Sequence, residues 1–278
     1  MKTIALPDEL PIQQSQYVKV YDYQSEQEIT KQQIILNQNT FSFLSDGTKE
    51  VYFDNLALSI DNSRFLLMKA GHCLMTEKLS DIKNYSSVLL FFSNETLLKI
   101  LRKADIKTVK TEGNKSVYSF AYDSFIKRFV RSLLDISQLS TSIQEKLLAV
   151  KLEEIILYLT EINGSDFLSS LLAHGDNSKQ KIMQTVESNL LSKLTIPELA
   201  FLCNMSISTF KREFEKCYAE SPIKWFQNKR LEHAHFLIHQ EQKTSSEIYA
   251  EIGYENLSSF IQAYKTKYGT TPKQDGKK

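Results

Sequence analysis

A segment near the C-terminus of this chain occurs twice, offset by 50 residues. Ala200 matches Ala250, Ser208 matches Ser258, Phe210 matches Phe260 and Tyr218 matches Tyr268. Thr209 corresponds to Ser259, Phe214 to Tyr264, and Ser221-Pro222 to Thr271-Pro272. Self-similarity of this kind marks one supersecondary unit used twice. Each copy reads as helix, tight turn, helix. The first opens at Thr195-Ile196-Pro197-Glu198 and the second at Thr244-Ser245-Ser246-Glu247, both with capping-box spacing. Each turn holds a residue that tolerates positive φ, Asn204 and Gly253, one position out of register. The second helices start behind polar N-caps, Ser206 and Asn256.

Projected at 100° per residue, the second helix of copy one places Ile207, Phe210 and Phe214 on a buried stripe. Ser208, Thr209, Arg212, Glu215 and Lys216 lie opposite, with Lys211 at the edge. In copy two Leu257, Phe260 and Tyr264 point inward, leaving Ser258, Ser259, Gln262, Lys265 and Thr266 outward. Both outward faces are rich in donors and short of acids. Such a face suits a helix lying in the major groove of DNA, where Arg reads guanine and Gln reads adenine. A solvated amphipathic helix looks similar in one copy; two copies in register favour the groove. Between them, Ser221-Pro222 opens a helix running to about His239, with Trp225, Leu231, Ala234 and Ile238 available to pack on both units. Lys224, Lys229 and Arg230 on it are candidates for phosphate contacts, which position without specifying.

The rest of the chain reads differently. From residue 17 to about 110 it carries short β-branched or aromatic runs, Ile34–Leu36, Phe41–Leu44, Val51–Phe53, Leu56–Leu58 and Val88–Phe92, separated by turns such as Ser45-Asp46-Gly47. This predicts a small antiparallel β-barrel or sandwich, cupin-like in outline. From about Val117 the period becomes helical, and a helical hairpin is expected over 117–172. Leu148, Leu152, Ile155, Leu159 and Ile162 repeat with 4-3-4-3 spacing. That seam is either a homodimer surface, with Leu148, Leu152, Ile155 and Leu159 as the interface, or a helix packed on its own barrel. The polar stretch His174–Ser178 sets the boundary between a regulatory or dimerisation domain, 1–174, and a helical domain, 179–278.

The 278 residues fit two domains. Net charge is only +1 overall, but from Lys179 onward there are 15 basic and 11 acidic residues, a mild bias toward a polyanionic partner. Cys73, Cys203 and Cys217 are scattered, so neither a disulfide framework nor a thiolate metal site is expected. The opening residues lack a cationic and apolar leader, and no apolar run approaches the ~20 residues of a membrane span. A cytoplasmic chain without membrane association is the expectation.

Residues 180–274 resemble the DNA-binding domain of the AraC/XylS family of bacterial regulators. The resemblance runs through Leu199-Ala200, Asn204-Met205-Ser206, Ser208, Phe210-Lys211-Arg212 and Phe214. It continues through Ser221-Pro222, Trp225, Arg230-Leu231, Ala234, Ile252-Gly253-Tyr254, Phe260, Tyr264-Lys265, Tyr268-Gly269 and Pro272. It implies a transcription regulator, usually an activator, whose partner is double-stranded DNA, with RNA polymerase as a further contact at the promoter. By matching position, base contacts would come from Ser208, Lys211 and Arg212, and from Leu257, Ser258, Ser259 and Gln262. Copy two departs from the pattern: Gln262 stands where the family commonly has Arg, Tyr264 where it has Phe, and Leu257 where a polar residue is frequent. The N-terminal part resembles the family's sensor domains only in arrangement. Its effector, a small molecule or a regulatory protein, is left open.

Other functions find less support. His72 is the one histidine of the β-rich part and has no His-x-His pair, so a metal-dependent oxygenase lacks ligands. His235 and His239 sit at i, i+4 on the linker helix, but no third ligand lies nearby in sequence, and neither a metal nor another cofactor is expected. No glycine-rich phosphate loop or nucleophile elbow occurs, and no catalytic residues are assigned. A non-catalytic protein-interaction module, with the helix pairs as scaffold, is the alternative.

Overall fold

The structure, a computed structural model, describes residues 2–12, 17–54, 56–106, 115–172, 178–192 and 194–276. It divides into two units, Met1–Asp176 and Asn177–Lys278. Of the expected boundary stretch, all but Ser178 lies outside the described residues; Ser178 begins a helix.

The first unit contains β1 (Ile4–Leu6), β2 (Val18–Ser25), β3 (Ile29–Leu36), β4 (Asn39–Asp46), β5 (Thr48–Tyr52), β6 (Ala57–Ile60), β7 (Arg64–Met68), β8 (Gly71–Lys78) and β9 (Tyr85–Phe92). Then follow α1 (Asn94–Lys103), β10 (Val117–Ala121), α2 (Ser124–Ser137), α3 (Thr141–Asn163) and α4 (Asp166–Leu172). The strands form two five-stranded sheets, ordered β1-β3-β8-β5-β6 and β10-β7-β4-β9-β2, an open sandwich and not a closed barrel. β1 runs parallel to β3, with Ile4 opposite Ile34; the other pairings are antiparallel.

The second sheet is the middle of three layers. Phe41, Phe43, Phe65, Leu67, Val88, Leu90 and Phe92 share a core with α2, α3 and α4. Their neighbours Leu44, Leu66 and Met68 face the first sheet with Ile34, Val51 and Met75. Both faces are therefore buried, which is why Phe65–Met68 of β7 and Val88–Phe92 of β9 read as continuous apolar runs without polar alternation. Phe41, Phe43, Phe65 and Phe92 interlock at centroid separations of 5.0–6.5 Å, each contributing about 1.5–3 kcal/mol through burial.

Three expectations need correction in this unit. Helix begins at Ser124 and not at Val117, because Val117–Ala121 pairs with β7, Val117 opposite Met68. A helix also interrupts the strand-rich part: Ser93 caps α1 by accepting from the Thr96 N–H at 3.1 Å, and Leu97, Ile100 and Leu101 bury its inner face. Third, Leu148, Leu152, Ile155 and Leu159 are 0–1 % exposed and belong to the unit's own core. They pack against the middle sheet and α2, so they are not a surface open to a second chain. Ile162, which ends the heptad spacing, is exposed.

The second unit is helical: α5 (Ser178–Ser188), α6 (Ile196–Leu202), α7 (Ile207–Tyr218), α8 (Pro222–Gln240), α9 (Ser245–Ile248), α10 (Leu257–Tyr268) and α11 (Pro272–Asp275). The pairs α6–α7 and α9–α10 are the two copies of the repeat, and α8 joins them. Thr195 and Thr244 both form complete capping boxes, with Glu198 and Glu247. Asn204 (φ 58°) and Gly253 (φ 86°) make the left-handed turns. The turns correct the register: Met205 N–H donates to Ala200 O and Tyr254 N–H to Tyr249 O, both at 2.9 Å, an offset of 49. Copy two carries one extra residue between turn and cap, so the offset becomes 50 only from the caps Ser206 and Asn256 onward. Ala200 therefore corresponds in space to Tyr249, not to Ala250. At the far ends the helices stop on left-handed residues at the 50 offset, Ala219 (φ 54°) and Gly269 (φ 74°).

Candidate nucleic-acid interface

Helix α7 is anchored by Phe210 and Phe214, both 0 % exposed. Phe214 meets Trp225 edge-on at 5.7 Å and Tyr218 at 4.6 Å. Ser206 caps the helix, accepting from the Thr209 N–H at 3.2 Å. With the inner stripe fixed, Ser208, Lys211, Arg212, Glu215 and Lys216 are exposed and Thr209 half-exposed. Ile207, expected inward, is 44 % exposed, because the first turn of α7 projects beyond the core.

Two of the cations on this face are already paired. Glu213 Oε1 accepts from Arg212 Nε at 3.1 Å and from Lys216 Nζ at 2.8 Å. These two hydrogen bonds hold the Glu213 carboxyl below its ordinary range. Any polyanion that takes Arg212 or Lys216 displaces Glu213.

Helix α10 repeats the arrangement with different chemistry. Phe260 and Tyr264 are 0 % exposed, and Asn256 caps the helix by accepting from the Ser259 N–H at 2.8 Å. Ser258, Ser259, Gln262, Lys265 and Thr266 are exposed. No acidic residue occurs anywhere in α10. Leu257 is half-buried against Ile248, Ile252 and Phe260, so packing accounts for this apolar residue. Apart from Leu257, the expected contact residues of both copies are thus on the surface, on equivalent faces of equivalent helices.

The linker helix contributes less charge than its sequence suggests. Lys224 pairs with Glu220 at 3.1 Å and Lys229 with Glu232 at 2.8 Å. Arg230 is a structural residue: its guanidinium donates to Ser192 O at 3.1 Å and lies over the Phe226 ring. Gly253 sits in a left-handed turn (φ 86°), and a Cβ there would come within 3.1 Å of that guanidinium, which would have to shift by a few tenths of an ångström. Burial lowers the Arg230 pKa, as desolvation of a cation must.

The structure also supplies the third group that the His235/His239 pair lacked in sequence. Asp275 of α11 brings Oδ2 to 3.4 Å from His235 Nδ1 and 3.3 Å from His239 Nε2. His72 lies in β8 opposite Ile35, half-buried. Cys73 and Cys203 are buried thiols outside any disulfide, and burial pushes Cys73 up to about 12.

The first unit has one notable polar feature. Lys49 and Glu77 form an ion pair at 3.2 Å with side chains 2 % and 5 % exposed, and Lys49 also donates to Ser42 Oγ at 3.1 Å. The pair adjoins an otherwise apolar cavity of about 210 Å³ lined by Leu36, Met68, Met75 and Leu89 among others.

Two family descriptions match the chain: an "ExsA N-terminal regulatory domain" over residues 39–170 and a "Helix-turn-helix domain" over residues 199–278. The virulence regulon transcriptional activator VirF of Yersinia enterocolitica is 30% identical over 126 residues, 45% of this chain and 46% of that protein. The HTH-type transcriptional regulator ExsA of Pseudomonas aeruginosa is 27% identical over 127 residues, again 45% and 46%. The chain therefore spans about half the length of the curated relatives it matches. Among solved structures, apo ToxT of Vibrio cholerae aligns over 93% of this chain and 96% of its own, at 13% identity and a TM-score of 0.43. Among the described residues no helix is long and apolar enough to cross a membrane.

Proposed function

Because the chain belongs to the AraC/XylS family of transcription regulators, we propose that it binds double-stranded DNA sequence-specifically and activates transcription from the promoters it marks. The reading rests on one observation above the others: two capped helices, equivalent at an offset of 50, each present an exposed face of hydroxyl, amide and cationic groups. Arg212 has the fork geometry for a guanine edge and Gln262 the paired donor and acceptor for adenine. α8, 19 residues long, spans about 28 Å at 1.5 Å per residue. That length is near the ~34 Å between successive major-groove windows on one side of the duplex. Ser208, Thr209, Lys211 and Lys216 flank Arg212, while Ser258, Ser259 and Lys265 flank Gln262. Leu257 drops out as a principal contact in this reading.

Regulatory input enters through the N-terminal unit, which matches a regulatory-domain description. The cavity beside Lys49 and Glu77 is smaller than the ~300 Å³ at which ordinary ligand pockets begin. It suits a compact apolar effector; a larger signal must act on the outer surface, as a protein would.

The test is genome-wide mapping of bound DNA, followed by titration of the full chain on the recovered motif at two salt concentrations. A motif covering two adjacent major-groove turns, with affinity falling steeply as salt rises, is the expected result. Absence of enrichment together with salt-independent binding overturns it in favour of a scaffold.

A further inference from the structure

We propose that His235, His239 and Asp275 form a binding site for a divalent transition-metal cation of the zinc class. It lies at the C-terminal end of the second unit, and the proposal does not depend on the DNA-binding reading. One ligand atom from each of the three residues lies within 4.8 Å of the other two. The Asp275 Oδ2 separations of 3.4 Å to His235 Nδ1 and 3.3 Å to His239 Nε2 are informative. Tetrahedral bonds of about 2.0–2.1 Å place neighbouring ligand atoms roughly 3.3–3.4 Å apart. Both histidine nitrogens are thus already at the separation from the carboxylate oxygen that a bound cation would impose. Both separations are longer than good hydrogen bonds. His239 Nε2 in particular is a buried nitrogen with no hydrogen-bond partner.

The surroundings fit the same chemistry. The histidines stand at i, i+4 on α8 and therefore project on one side of it. Two imidazoles and one carboxylate are a borderline donor set, suited to zinc and its neighbours and poor for calcium or magnesium. His235 is 41 % exposed, which leaves a fourth position open to water. The Tyr264 hydroxyl lies 2.8 Å from Asp275 Oδ2 and 2.8 Å from His235 Nδ1, so it bridges two of the ligand atoms and a cation must take His235 Nδ1 from it. The Tyr268 ring stacks on His235 at 4.7 Å. Tyr264 is the residue that departs from the family's usual Phe, and its hydroxyl is what reaches this triad. A cation here clasps α8 to α11.

The experiment uses the full chain, stripped with a chelator and titrated with cobalt(II) and then zinc(II). One equivalent of cobalt per chain, giving the visible bands of a four-coordinate site and displaced by zinc, is expected. Asp275→Asn and His239→Gln each weaken binding at least tenfold, whereas Tyr264→Phe, which frees His235 Nδ1 and Asp275 Oδ2 from the hydroxyl, does not weaken it. His233→Gln, whose ring stacks on Phe236 instead, leaves it unchanged. Circular dichroism of each metal-free variant separates lost ligation from lost fold, and Asp275→Asn changes shape least. Absence of stoichiometric cobalt binding, or bands that persist in folded Asp275→Asn and His239→Gln, overturns the proposal.

Discussion

Replacing Ala219 by glycine should stabilise the second unit, and replacing Gly269 by alanine should destabilise it by a similar amount. These residues end α7 and α10 at equivalent positions, both left-handed, at φ 54° and 74°. An L-residue pays about 1–2 kcal/mol for that conformation. Glycine escapes this cost but gives back about 0.4–1 kcal/mol through the freedom of its unfolded chain. The balance is about 0.5–1 kcal/mol in favour of glycine at either position. Packing does not complicate it: a Cβ at Gly269 would meet nothing within 4 Å, and Ala219 is exposed. The chain has one tryptophan, Trp225, and it lies in the aromatic cluster at the end of α7, 4.6 Å from Tyr218. Its emission therefore follows the second unit within the intact chain. With a urea slope of about 1–3 kcal/mol/M, the Trp225 midpoint should rise by roughly 0.2–1 M in Ala219→Gly and fall by as much in Gly269→Ala. An unchanged midpoint in both variants, or a lower one in Ala219→Gly, refutes the reasoning that backbone conformation sets the cost at these two ends.

Four further outcomes are expected. Arg212→Ala should cost about 1–3 kcal/mol on the specific DNA site and relax one base position; equal losses on specific and random duplexes would make Arg212 a phosphate contact. Lys49→Met should destabilise the first unit by about 3–5 kcal/mol, because it leaves Glu77 buried and unpaired, while Lys49→Met with Glu77→Leu recovers most of that in denaturant titration. Asp123 caps α2 through the Ile126 N–H and accepts from the Tyr158 hydroxyl. Burial pushes its carboxyl up, but these hydrogen bonds and Arg128 outweigh that and leave it lowered from 3.8. Its contribution is therefore full above pH 3.8 and lost as pH falls through the lower folded value, so the melting-temperature gap between wild type and Asp123→Asn should narrow only below that pH. Leu152→Asp should unfold the first unit, seen as lost ellipticity, and not release a folded smaller species on sizing, because Leu152 is 0 % exposed within one chain.

The second unit was legible in sequence because its signals are local. Capping boxes at Thr195 and Thr244, left-handed turns at Asn204 and Gly253, and apolar spacing in α7 and α10 each act within a few residues. What escaped depends on contacts between distant segments. The extra residue in the second turn is invisible where Ala200 and Ala250 happen to match. Asp275 joins His235 and His239 only after α11 folds back on α8. Arg230 looks like a surface cation until Gly253 opens the space its guanidinium fills. In the first unit, the middle sheet is buried on both faces, which removes the alternation that would have set strand limits. The spacing of Leu148, Leu152, Ile155 and Leu159 is the same for a coiled coil and for a helix on a sheet, and only the presence of that sheet decides between them.

The repeat also limits how alike its two copies can be in function. α7 carries Arg212, Lys211 and Lys216, but Glu213 already holds two of these cations within 3.1 Å. α10 has fewer cations and no acid, and Lys265 has no carboxylate partner among the described residues. Binding through α7 must exchange one anion for another, which is favourable only where the new acceptor has the right geometry. Binding through α10 displaces nothing, but the neutral Gln262 gives up the charge-assisted contact that arginine makes. Under the proposed DNA-binding role, copy one would discriminate by exchange and copy two would make a weaker, less costly contact. The difference arises at Glu213 and Gln262, on two helices of equal length with equivalent caps.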